Sequence, residues 1–98
     1  MTDSPKIYFV RGGWVPKMSE AYLAREHHDC YEVHNGDGSQ VYNIFKRRLE
    51  VSRTKALTDR TKAVALLLHH LQEAKAQSER RIARIDAAIK EIMDKEGL

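Results

Sequence analysis

The sequence predicts an α+β fold in which a small three-stranded antiparallel β head precedes two long C-terminal helices or one long bent helix. Residues 54–94 contain neither glycine nor proline, and their apolar residues recur at helical spacing. Short β-branched and aromatic runs come before them, and a cluster of Asn, Gly, Asp and Ser at residues 35–39 predicts a hairpin turn. We therefore divide one structural domain into a β-rich head, residues 1–53, and an amphipathic helical region, residues 54–98.

The first predicted strand covers residues 7–10, because Ile-Tyr-Phe-Val is β-branched and aromatic. The pair Gly12 and Gly13 ends it with a turn signal. Residues 20–25 fit two structures equally well: a short helix capped by Ser19, or an extended segment. The sequence alone leaves this choice open.

The predicted hairpin joins Cys30–His34, which alternates in the manner of a strand, to Val41–Phe45 as its return strand. A helix over residues 41–49 is the alternative, since apolar residues there also recur at i, i+3, i+4, i+7 and i+8, with Ser39 as N-cap. We prefer the hairpin because β-branched and aromatic residues dominate residues 41–45 and because the preceding residues suit a turn.

The helical region carries an apolar stripe that is wider than a strict coiled-coil seam. When Ile85 is placed at heptad position a, the a positions are mostly apolar and the d and e positions share the remaining apolar residues. The pattern weakens between Gln72 and Arg81, where Ser78 occupies an a position, so a break between two helices is predicted there. An unbroken helix would be a rod roughly 55 Å long at ~1.5 Å per residue. The predicted N-cap candidates are Ser52, Thr54 and Thr58.

The C-terminal isoleucines lie too far along a continuous helix to reach a head of this size. Either the chain reverses near Ser78, or another chain covers them. We therefore predict coiled-coil-like self-association as a homodimer. The residues predicted to form this contact are Leu71, Ile82, Ile85, Ile89 and Ile92.

The positive charge is concentrated where the head meets the helical region. Residues 1–38 have a net charge of −2, residues 39–62 of +5, and residues 63–98 of zero. Such a junction is either a solvated face, a surface paired with an acidic neighbour, or a binding surface for a partner or for phosphate groups. The candidate binding residues are its basic side chains and the nearby aromatic ones: Lys46, Arg47, Arg48, Arg53, Lys55, Arg60, Lys62, Trp14, Tyr42 and Phe45.

Several classes of function are disfavoured by the sequence. No glycine-rich phosphate loop or nucleophile motif is present, and no cofactor is predicted. A metal site at His27, Cys30 and His34 is disfavoured because side chains along one straight strand cannot close around a single ion. The single cysteine allows no internal disulfide, the N-terminus lacks a signal pattern, and the longest apolar run, residues 63–68, is too short to span a bilayer. A cytoplasmic protein without membrane contact is expected.

Together these observations predict a small non-enzymatic regulatory or interaction module. It would self-associate through its C-terminal helices and bind a protein partner, for example as an inhibitor. The alternative is a DNA- or RNA-binding protein that uses the basic segment 46–62 against phosphates.

Overall fold

The computed structural model describes residues 5–36 and 40–98, which form an antiparallel sheet followed by a long helix. The α+β class is confirmed, whereas the prediction of three strands is wrong because the sheet has five, in the order β4-β3-β2-β1-β5. In chain order the elements are β1 (Lys6–Arg11), β2 (Lys17–Glu26), β3 (Cys30–His34), β4 (Val41–Phe45), α1 (Lys46–Val51), β5 (Thr54–Leu57) and α2 (Arg60–Glu96).

Strand β1 is buried on both faces of the sheet, which explains its continuous apolar run. Ile7 and Phe9 belong to one core cluster, on the face where the partly buried Leu49 of α1 packs. Tyr8 and Val10 belong to a second cluster on the opposite face, against Ala63 of α2. A strand covered on both faces gains from apolar residues at every position, whereas a strand with one wet face alternates.

Strand β2 resolves the choice that the sequence left open for residues 20–25. It is a ten-residue strand that pairs with β1 on one side and β3 on the other. The register with β3 shifts between Leu23 and Arg25, so a bulge bends the sheet there. The extended structure therefore forms, because this segment supplies ladder partners to two neighbouring strands.

The predicted hairpin strands are confirmed, with β4 paired to β3 in a continuous register from Cys30 opposite Phe45 to His34 opposite Val41. Part of the predicted turn, residues 37–39, lies outside the described residues. The alternative helix is partly present as well, since α1 begins at Lys46, directly after the strand ends. The helical spacing of residues 41–49 therefore reflects two short elements in succession.

Strand β5 has no counterpart in the sequence prediction. It follows a turn in which Arg53 adopts a positive φ of 56°, and it pairs with β1 from Thr54 opposite Arg11 to Leu57 opposite Tyr8. Helix α1 thus carries the chain from one edge of the sheet to the other. Four residues of mixed polarity are too few for a period to be recognised, so only the non-local pairing identifies this strand.

Helix α2 is a single helix of 37 residues, so the predicted break near Ser78 and the two-helix version of the fold are wrong. None of the predicted residues is its N-cap. Asp59 has that role, and its carboxylate accepts a hydrogen bond from the backbone N–H of Lys62 at 3.3 Å. Ser52 instead ends α1, where its hydroxyl donates to the carbonyl of Arg48 at 3.0 Å.

Only the first part of α2 packs on the sheet. The helix contacts β1, β2 and β5, and its last half-buried residue is Ala76. Residues 77–96, which we call the arm, are exposed throughout and extend the molecule to 72 Å in its longest dimension. None of the helices that the structure describes is both long enough and apolar enough to cross a membrane.

Candidate interaction surfaces

The arm displays a line of four isoleucines that the sequence analysis assigned to self-association. Ile82, Ile85, Ile89 and Ile92 follow one another at intervals of three, four and three residues, and they are 57, 52, 50 and 59% exposed. This alternation keeps all four side chains on one face of a helix. We call this line the isoleucine seam.

The line of the seam continues toward the head. Two exposed leucines lie on it three residues apart: Leu71, which was also predicted to take part in self-association, and Leu68, which was not. Lys75 and Ser78 occupy the intervening positions. The apolar line therefore consists of a leucine pair and an isoleucine quartet, separated by one polar stretch.

A cleft of about 650 Å³ lies at the root of the arm, between the β1–β2 turn, the α1–β5 turn and α2. It brings two predicted residues, Trp14 and Arg53, together with His70 and Arg81, which the sequence analysis did not select. These residues are far apart along the chain, so no local sequence pattern predicts that they come together. Their grouping depends on how the two turns pack on the helix. The complete lining is Gly12, Gly13, Trp14, Val51, Ser52, Arg53, His70, Glu73, Ala74, Gln77, Ser78 and Arg81.

The β1–β2 turn is attached to α2 at two points beside this cleft. The guanidinium carbon of Arg81 lies 4.0 Å from the centroid of the Trp14 ring, in a cation–π contact worth about 0.5–1 kcal/mol at an exposed site. A Cβ atom on Gly12 would lie 3.0 Å from the imidazole of His70, so glycine allows the turn to approach the helix closely. Trp14 itself remains 77% exposed.

Two of the seven predicted basic residues are engaged with the sheet. The amine of Lys46 lies 2.9 Å from the carboxylate of Glu26, and this hydrogen bond raises the pKa of Lys46. Arg60 lies 3.3 Å from a carboxylate oxygen of Glu20. These two cations neutralise acidic side chains of β2 and are less available to a partner.

The five remaining basic residues come from one stretch of the chain, and we call this group the basic strip. All five are exposed, and none forms an ion pair with another residue in the ranges 5–36 and 40–98. They follow one another along α1, the turn after it, β5 and the first turn of α2. The basic strip consists of Arg47, Arg48, Arg53, Lys55 and Lys62.

The predicted aromatic residues do not form one surface. Trp14 lines the cleft, whereas Tyr42 and Phe45 lie on β4, at the opposite edge of the sheet from β5. Both are about half exposed, and β4 carries no charged side chain. The single aromatic and basic junction predicted from the sequence is therefore divided between two edges of the head.

Cys30 and the histidines near it are part of the head. Cys30 is buried in the sheet, and burial together with the neighbouring Asp29 raises the pKa of its thiol. His27 lies 3.6 Å from Glu32, and His34 stacks on Tyr22 with 5.5 Å between ring centroids. Within the part of the chain that the structure describes, no three His, Cys, Asp or Glu side chains are grouped so as to hold a metal ion.

No family model, curated protein or solved structure matches this chain. The function must therefore be argued from the seam, the cleft and the basic strip themselves.

Proposed function

We propose that this protein is a non-enzymatic interaction module in which the arm joins copies of the chain and the head binds a protein partner. The observation that carries the proposal is the isoleucine seam, which lies on a helix segment that the head does not cover. Four large β-branched side chains at coiled-coil spacing are typical of a helix that packs against another helix. An exposed line of this kind marks an association surface.

The seam carries enough apolar surface for association. Burying an isoleucine completely stabilises by about 1.5–3 kcal/mol, so covering the exposed half of four of them contributes roughly 3–6 kcal/mol per copy. The same packing supports the arm, because a helical segment of about twenty residues is marginal in water without tertiary contacts. Self-association thus buries the exposed isoleucines and stabilises the helical arm through one and the same contact.

The cleft at the root of the arm is the proposed site for the protein partner. Tryptophan and arginine are the residues most enriched among those that dominate binding energy, and here Trp14 and Arg81 stand together with Arg53 at its margin. Val51, 80% exposed, adds an apolar wall. A partner segment with an apolar side chain beside a carboxylate fits this lining. Binding of this kind covers part of the partner's surface. We therefore propose that this protein inhibits its partner.

We place this module in the cytoplasm. Cys30 is the only cysteine of the chain, and it is buried as a free thiol. A reducing compartment keeps such a thiol from intermolecular oxidation.

Sedimentation equilibrium tests the self-association. We expect a mass above the 11.3 kDa of one chain, and a return to 11.3 kDa when Ile85→Asn and Ile89→Asn are combined. Ala83→Asn with Ala87→Asn is the matched control, because these alanines lie away from the seam. A wild-type monomer at high protein concentration would refute the proposal.

Affinity capture tests the partner site. Trp14→Ala and Val51→Ala should each weaken the complex between this protein and a captured partner protein. Tyr42→Ala, at the other edge of the sheet, should not weaken it. Circular dichroism of each variant shows whether the head remains folded. Equal loss from all three variants would remove the cleft from the proposal.

Nucleic-acid binding is a second candidate function, favoured by the five unpaired cations of the basic strip. Fluorescence anisotropy with duplex DNA and single-stranded RNA should then show affinity that falls with salt. Combining Arg47→Ala with Arg48→Ala should reduce the slope of log affinity against log salt by about 2. Lys90→Ala, on the arm, is the control. Absence of binding at low salt would end this candidate.

A further inference from the structure

We infer that the arms of three copies associate in parallel and in register, as a three-stranded coiled coil. This inference rests on the proposed self-association and specifies its number and direction. It replaces the homodimer expected from the sequence.

The residue type favours more than two strands. When the heptad is lettered from Ile82 instead of Ile85, Ile82 and Ile89 occupy position a, and Ile85 and Ile92 occupy position d. Two-stranded parallel coiled coils favour isoleucine at a and leucine at d, whereas isoleucine at both positions shifts the preference to three or four strands. Every layer of this seam is isoleucine.

The charges that flank the seam favour a parallel arrangement. In the same lettering Arg81 is at position g and Asp86 at position e. Parallel helices in register place g of one copy beside the following e of its neighbour, so Arg81 faces Asp86 of the partner subunit.

The opposite direction is disfavoured by the same charges. Antiparallel arms that match isoleucine to isoleucine set Ile82 against Ile92 of the partner subunit. In that alignment Asp86 lies beside Asp86 of the partner subunit, and Arg81 lies beside Lys95 of the partner subunit. Like charges at these flanks repel.

The head does not cover the leucines that lie on the line of the seam. It packs on α2 around Ala63 and His70, while Leu68 and Leu71 stay exposed on the line of the seam. The coiled coil therefore continues toward the head through a leucine layer pair. The intervening Lys75 is a polar residue at an a position, which specifies register in coiled coils. Three heads, and three copies of the cleft, then lie at the same end.

The number of strands is tested by sedimentation equilibrium of the full chain. We expect three times 11.3 kDa for the wild type. Combining Ile85→Leu with Ile92→Leu, at the d positions, should reduce the mass to twice 11.3 kDa. The matched change at the a positions, Ile82→Leu with Ile89→Leu, should not give a dimer. A wild-type dimer or tetramer would overturn the three-stranded arrangement and leave the proposed self-association standing, whereas a monomer would refute both.

The direction is tested by a change whose effect has opposite signs in the two arrangements. Arg81→Glu in a parallel assembly faces Asp86 of the partner subunit and should raise the midpoint concentration of dissociation about tenfold. In an antiparallel assembly the same change faces Lys95 of the partner subunit and lowers that concentration. Asp86→Ala provides a second measurement that leaves Trp14 in contact with Arg81. It should also weaken a parallel assembly, and tighter association of either variant would overturn the parallel arrangement.

Discussion

Replacing Val33 by alanine should destabilise the head far more than the same change at Val51. Val33 is fully buried between β2 and β4, in the cluster that contains Ile7 and Phe9. Val51, the last residue of α1, is 80% exposed. The two substitutions remove the same atoms, so their difference reports burial alone.

The magnitude follows from the two methyl groups that are lost. Each buried carbon contributes about 0.8 kcal/mol, or about 1.6 kcal/mol for both, and incomplete collapse of the cavity increases the loss to about 2–3 kcal/mol. The corresponding decrease in Tm is roughly 10–20 °C for a domain of this size. Val51→Ala should stay within about 0.5 kcal/mol of the wild type.

Urea unfolding followed by far-UV circular dichroism measures both free energies. All variants must be compared at one protein concentration, because self-association makes the apparent stability depend on concentration. Unchanged m-values would show that each variant exposes the same amount of surface on unfolding as the wild type does. Equal free energies of unfolding for Val33→Ala and Val51→Ala would refute the burial of Val33 in the cluster that contains Ile7 and Phe9.

Three further predictions concern the cap of α2, a turn and the thiol. Asp59→Ala removes the N-cap hydrogen bond and should lower the free energy of unfolding by about 0.5–2 kcal/mol, measured by urea titration. Gly36→Ala combines a φ of +104° with a Cβ atom 2.8 Å from the ring of Tyr22, so its Tm should fall below that of Gly13→Ala, where φ is +109° but no atom lies within 4 Å. The raised pKa of Cys30 means that folding favours the neutral thiol, so this contribution to stability is present below the ordinary pKa of a thiol and is lost as the pH rises through the raised pKa. Iodoacetamide should accordingly react more slowly with the native protein than with the urea-unfolded protein at one pH, and equal rates would contradict the burial of this thiol.

Local sequence patterns predicted the elements whose partners are close along the chain. Cys30–His34 was found because it alternates, and Val41–Phe45 because its residues are mostly β-branched or aromatic and follow a turn signal. The long helix was found because its period extends over many turns. Thr54–Leu57 was missed because its partner is β1, more than forty residues earlier, and four residues carry no usable period.

The helix break at Ser78 was predicted from an interruption of the apolar stripe, and this interruption does not end the helix in the structure. A serine and neighbouring charges interrupt the apolar stripe, but nothing in residues 60–96 forbids helical backbone, since glycine and proline are both absent there. The interruption lies where α2 leaves the sheet, so the stripe changes from covering the head to forming the seam. The gap in the apolar stripe therefore marks the place where packing on the sheet stops, and the helix itself continues through it.

The candidate surfaces were partly predictable for the same reason. The four isoleucines of the seam could be selected from the sequence because they belong to one helix, and they are exposed, whereas their part in self-association stays a prediction. The cleft could not be selected in this way, because Trp14, Arg53 and Arg81 come from three separate segments that only the docked turns bring together.

The position of β5 sets a lower limit on the fragment that can fold. A chain that ends at residue 53 lacks the strand that pairs with the outer edge of β1, and it also lacks Ala63, which covers Tyr8 and Val10. During synthesis, β1 precedes its second neighbour, β5, by more than forty residues. A fragment ending near Ala76, by contrast, keeps every half-buried residue of α2 and loses the arm together with the contact between Arg81 and Trp14. Residues 5–76 are therefore the natural unit for separating the behaviour of the head from that of the assembly.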